Sequence, residues 1–146
     1  MARPETTCAR VVLHGDDLLP EEITALMGCT PTRTRRKGQV LFRSAAGKER
    51  LAREGSWAFA AKDRSPGDLE VQIFEVLEAL PSDLTLWRGV AERFKLAMFC
   101  GVFMDQTNVG CSLSPEAMRA CADRGLILEL DIYGPSTPES STQSEQ

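Results

Sequence analysis

The sequence predicts an α+β fold: a single-layer, mostly antiparallel sheet packed by helices. Three observations predict it. Short segments alternate apolar and polar residues with a period of two, as in Leu128, Leu130 and Ile132 against Glu129, Asp131 and Tyr133. Another segment repeats its apolar residues with helical period, at Leu69, Ile73, Val76, Leu77 and Leu80. Proline, glycine and capping residues punctuate the boundaries between such segments.

The first element is a strand over residues 8–14, with Ala9, Val11 and Leu13 on one face and Arg10, Val12 and His14 on the other. Gly15-Asp16-Asp17 breaks it. Pro20 opens a short helix with Glu21 and Glu22 in its first turn, where the helix dipole favours anions. Ile23, Leu26 and Met27 form its apolar face, and Gly28 suits a left-handed stop. Residues 30–38 read as a basic connector. Strands follow at Gln39–Ser44 and near Ser56–Ala61, the second with Trp57 and Phe59 on one face.

The helix over Asp68–Leu80 ends at Pro81. Ser82 or Asp83 caps the next, whose buried face is Leu84, Trp87, Val90, Ala91 and Phe94. Leu96–Met104 is apolar on both alternating sets, as expected of a strand near the sheet centre and covered on both sides. Ser114 caps a helix that starts at Pro115, turns Met118, Cys121 and Ala122 inward and closes at Gly125. The last strand is Ile127–Tyr133.

These elements make one domain over residues 8–134, with a flexible N-terminus at 1–7 and a disordered polar tail at 135–146 that has no apolar residue to bury. A chain of 146 residues suits one domain. Leu18-Leu19-Pro20-Glu21-Glu22-Ile23 echoes Leu113-Ser114-Pro115-Glu116-Ala117-Met118. Two related β-α-β halves in a ferredoxin-like sheet would produce this echo, and so would a common helix-start signal.

Composition restricts the setting. The longest apolar run, Leu96–Met104, is about half of what a membrane helix needs. The polar N-terminus lacks a signal core. Five cysteines without a C-x-x-C pair fit a reduced, cytoplasmic protein. One histidine and no cysteine pair argue against a structural zinc site, and no glycine-rich phosphate loop is present, so no metal or cofactor is expected.

The string from Gly15 to Thr24, then Leu26-Met27-Gly28-Cys29-Thr30-Pro31-Thr32 and Arg36-Lys37-Gly38, resembles the bacterial family catalogued as domain of unknown function 4279 (DUF4279). Gly55-Ser56-Trp57, the helix around Ile73–Leu80, Phe99-Cys100-Gly101, Leu113-Ser114-Pro115-Glu116 and Asp131-Ile132-Tyr133 extend the resemblance over about residues 8–134. It implies a small α+β domain of bacterial type. It implies no activity and no catalytic residue.

The strongest functional signal is electrostatic. Residues 31–53 hold eight Lys and Arg side chains against the single acid Glu49, in a chain whose net charge is −4. Arg33, Arg35, Arg36 and Lys37 are the candidate binding surface, for an anion or an acidic protein. A solvated loop whose cations pair with neighbouring acids is the bland alternative. Nucleic acid is disfavoured, because the chain is acidic and aromatic residues do not interleave with the arginines.

His14, the single histidine, lies beside Asp16 and Asp17, so an enzyme or ligand sensor must use it with nearby acids. Such a protein should gather His14, Asp16 and Asp131 around one concave pocket, whereas a binding module should present a flat or convex charged face. Glu129 and Asp131 share a strand face, and Trp57 and Trp87 read as core. The sequence reads as a small non-catalytic binding or regulatory protein whose partner is another protein, such as an inhibitor of a cognate toxin, with no membrane association.

Overall fold

The computed structural model describes residues 2–136. In chain order the elements are β1 (Thr6–Gly15), α1 (Pro20–Met27), β2 (Arg33–Arg35), β3 (Val40–Arg43), β4 (Glu49–Leu51) and β5 (Gly55–Ala60). They continue with α2 (Leu69–Ala79), α3 (Leu84–Arg93), β6 (Lys95–Phe103), α4 (Pro115–Asp123) and β7 (Ile127–Tyr133). The expected α+β architecture is present. A five-stranded mixed sheet of order β2-β5-β1-β6-β7 carries helices, and β3 and β4 form a separate two-stranded hairpin. Three of the four neighbouring pairs in the sheet are antiparallel, and β6–β7 is parallel.

The four strands β2-β5-β1-β6 have the order and directions of a split β-α-β-β-α-β arrangement, in which α1 follows the first strand and α2 and α3 precede the last. The unit α4–β7 is added beyond it, parallel to β6. The echo of the α1 start therefore falls in the added unit, at α4, and not in the second half of the split pair.

Alternation divides the sheet into two faces. Ala9, Val11, Leu13, Trp57, Leu96, Met98, Cys100 and Val102 meet Ile23, Ile73, Val76, Trp87 and Val90 from the helices in one core. Trp57 and Trp87 are fully buried, each removing apolar area worth about 4–6 kcal/mol. Their indole N–H groups are satisfied: Trp57 Nε1 donates to Thr24 Oγ1 at 3.0 Å and Trp87 Nε1 to the Pro81 carbonyl at 2.7 Å.

Local signals act as expected at the helix ends. Asp68, Asp83 and Ser114 each accept a backbone N–H at an N-cap, and Gly28 ends α1 with φ 66°. The inward faces are narrower than the apolar pattern predicts. Leu26, Leu84, Ala91, Met118 and Ala122 are exposed, because each helix lies on one sheet face and only the residues directly above it are covered. On α4 these are Ala117 and Cys121, one turn apart. Arg93 and Glu22 form an ion pair between α3 and α1, and the guanidinium hydrogen bond holds the Glu22 carboxyl below its ordinary value.

Two boundaries differ from expectation. The segment 2–7, expected to be flexible, takes part in the fold: Pro4 is buried, the Glu5 N–H donates to the Phe103 carbonyl, and β1 begins at Thr6. Thr7 is fully buried because Gln72 of α2 reaches it. The connector 30–38 contains β2, which joins the main sheet through β5. The strand expected at Gln39–Ser44 exists as β3 but pairs with β4 alone. Of the tail expected to be disordered at 135–146, residues 137–146 lie outside the described residues. Among the described residues no helix is long and apolar enough to cross a membrane.

Candidate functional site

The helices occupy one face of the sheet, and the other face is open. Register assigns Arg33 and Arg35 of β2, Ser56, Ala58 and Ala60 of β5, and Arg10, Val12 and His14 of β1 to the open face. The β3–β4 hairpin and the residues after it border this face. A groove of about 1000 Å³ runs between the two, with Arg10, Arg33 and Arg35 on the sheet side and Arg50 and Arg53 on the hairpin side.

The groove exists because the residues beneath the hairpin are small. Ser56, Ala58 and Ala60 are the three open-face residues of β5, and none fills the space above it. Leu41 and Leu51 of the hairpin and Ala52 after it add apolar lining. Its ladder slips between Val40 and Phe42, leaving Leu41 as the extra residue of a bulge. A bulge re-aims a side chain, and Leu41 lines the groove while Phe42 is exposed outside.

Charge in the groove is one-sided. Five arginines line it and Glu54 is its single carboxylate. That carboxylate is engaged: His14 Nδ1 lies 2.6 Å from Glu54 Oε1. An ionised carboxylate only accepts, so Nδ1 carries the proton of this bond. The Arg10 guanidinium lies over the Phe99 ring, 4.3 Å from its centroid, which orients it by cation–π attraction. Arg33 and Arg35 are two residues apart on one strand and so lie roughly 7 Å apart on one face. None of the five arginines forms an ion pair among the described residues.

The structure divides the four cations singled out from the sequence. Arg33 and Arg35 line the groove. Arg36 forms an ion pair with Glu21 of α1, and Lys37 Nζ donates to Asp16 Oδ1 at 2.6 Å. The bond from Asp16 holds the Lys37 ammonium pKa above its ordinary value. Arg36 and Lys37 are thus neutralised by the acids that follow β1. Arg10, Arg50 and Arg53 take their place in the groove. Segment charge points to Arg50 and Arg53, but only pairing register brings Arg10 there.

His14, Asp16 and Asp131 do not converge. His14 turns to Glu54, Asp16 to Lys37, and Asp131 lies on β7, two strands from β1. Asp131 accepts the Tyr133 hydroxyl at 2.6 Å, which raises the Tyr133 pKa. Glu129 and Asp131 occupy the open face at the far edge, opposite Phe99 and Gly101 of β6. No three His, Cys, Asp or Glu side chains gather within metal-binding reach among the described residues.

Fold and site together define a small α+β protein with helices on one sheet face and a basic groove on the other. The chain belongs to the family described as domain of unknown function (DUF4279), which it matches over residues 4–135. No curated protein and no solved structure matches it.

Proposed function

We propose that this protein is a small, cytoplasmic, non-catalytic binding protein that receives an acidic segment of another protein in the basic groove. One observation carries the reading: five guanidinium groups that form no ion pair among the described residues line one concave surface. Like charges confined between low-dielectric walls repel one another and focus a positive potential, so an anionic occupant stabilises the arrangement. Guanidinium forks suit carboxylates, which they bind bidentately. Five free thiols without a disulfide support a reducing compartment.

Binding of a fluorescently labelled decaglutamate peptide tests this reading at about 0.05 M salt, where screening is weak. Arg33→Gln with Arg35→Gln should weaken binding at least about tenfold, the effect of losing roughly 1.4 kcal/mol. Arg36→Gln with Lys37→Gln should change it less than about twofold, since those cations are already paired on the surface. Equal losses in the two variants would return the whole segment to a solvated basic loop.

A second reading rests on one geometric fact. Ser56 is the cross-strand partner of His14, and His14 is bonded to Glu54, so a hydroxyl, an imidazole and a carboxylate share one wall of the groove. That set is the raw material of nucleophilic catalysis. No hydrogen bond joins Ser56 to His14 among the described residues, which favours binding. Covalent labelling of Ser56 by a fluorophosphonate, abolished by His14→Ala, would support the enzyme instead.

A further inference from the structure

We infer that β7 is a second protein-binding edge, which accepts an extended partner strand of alternating aliphatic and basic residues. Among the described residues β6 is its one neighbour, so one row of its backbone N–H and C=O groups has no strand partner there. Its ladder with β6 runs without a break from Ile127 to Tyr133. Seven regular residues without proline or a bulge leave the charges of Glu129 and Asp131 as the device that restrains pairing, and charge restrains a like-charged strand, not a basic one.

The side chains are those of a covered strand. On the helix side Leu130 is 53% exposed, Ile132 58% and Met118 of the adjoining α4 50%, while Ile127, on the open face, is 61% exposed. Single exposed aliphatic residues are ordinary, but a row of them on an open edge marks an interaction site. Leu128, Leu130 and Ile132 share the helix-side face, while Glu129 and Asp131 share the open face, flanked by Ile127 and Tyr133.

That pattern selects the occupant. A second copy pairing antiparallel about Leu130 would match Leu128 with Ile132 on one face. On the other it would set Glu129 against Asp131 twice, and like charges directly opposite destabilise a strand pair. A strand with aliphatic residues on one face and Lys or Arg on the other satisfies both faces and the backbone row. This edge is two strands from the groove and does not depend on its ligand.

The test uses the full chain and two capped heptapeptides, one alternating valine with lysine and the other valine with glutamate. Calorimetry should give saturable binding of the lysine peptide, at least about tenfold tighter than the glutamate peptide. Amide exchange across Ile127–Tyr133 should slow when the lysine peptide binds. Leu130→Lys with Ile132→Lys should abolish binding and leave the melting temperature unchanged, since both positions are exposed. Arg33→Gln with Arg35→Gln should leave it intact, which separates this edge from the groove. Any of three results would overturn the inference: equal binding of the two peptides, no binding up to about 1 mM, or a stable dimer of the free protein that Glu129→Gln tightens.

Discussion

Gln72 carries the heaviest polar duty of any buried side chain in the fold. It is fully buried, accepts the Thr7 hydroxyl at 2.6 Å and donates to the carbonyls of Thr7 and Lys62 at 2.9 and 2.8 Å. Thr7 Oγ1 in turn accepts the backbone N–H of Asp68, the N-cap of α2. Gln72→Met keeps the volume and removes these bonds, so the Thr7 hydroxyl loses its acceptor and the Lys62 carbonyl its donor, while the Thr7 carbonyl keeps the Arg64 N–H. It should cost about 2 kcal/mol, read as a fall of roughly 4–8 °C in Tm. Cysteines give a second residue-scale expectation. Burial pushes the Cys100 thiol to about 12 and also raises Cys121, while Cys111 is exposed. At pH 8 roughly one Cys100 in ten thousand is a thiolate, so a disulfide reagent should modify Cys111 in the native protein and Cys100 only after unfolding. Fast native labelling of Cys100 would contradict this burial. The core role of Trp57 and Trp87 was legible in the sequence from apolar patterning alone. The Thr7–Gln72 network was not, because its halves are 65 residues apart and neither is apolar.

At the scale of elements, strands and helices that bury one regular face were legible, and short charged ones were not. β1 and α2 follow from periodicity and β6 from a continuous apolar run, because hydrophobic burial sets both the pattern and the structure. β2 has three residues, two of them arginines, and becomes a strand only because β5 offers an edge. Its Arg-Thr-Arg string therefore reads as a loop until the pairing is known. That single step separates Arg33 and Arg35 from Arg36 and Lys37, and half of the candidate site depends on it. The opening of β5 has an equally local requirement. A Cβ on Gly55 would lie 2.0 Å from the Leu18 carbonyl oxygen, a backbone atom that has no easy retreat. Gly55→Ala should destabilise by about 3 kcal/mol or more and lower Tm by roughly 6–12 °C. A variant as stable as the parent would mean that the β1–α1 turn is looser than described.

For the whole molecule, the decisive feature is that helices cover one sheet face while the other borders a basic groove shared with the β3–β4 hairpin. The sequence reveals which residues alternate but not which strands adjoin. Arg10 meets Arg33 and Arg35 only through the order β2-β5-β1, and His14 meets Glu54 and not Asp16 for the same reason. The discriminating expectation was also too simple, since the charged surface is concave although the three residues of the enzyme reading do not meet. One sheet therefore carries opposite charge at its two ends, arginines about β2 and carboxylates on β7.

Titration of the isotope-labelled chain with decaglutamate, followed by amide NMR shifts, tests the groove most directly. Shifts should concentrate at Arg33–Arg35, Arg50–Ser56 and Ala58, and fade as salt rises from about 0.1 M to 1 M and the screening length falls from about 10 Å to 3 Å. Ala58→Leu, which adds bulk beneath the hairpin without changing charge, should abolish the shifts while the spectrum stays dispersed. Shifts centred on Arg36 and Lys37, or shifts that survive Ala58→Leu unchanged, would contradict the assignment of the groove as the binding site.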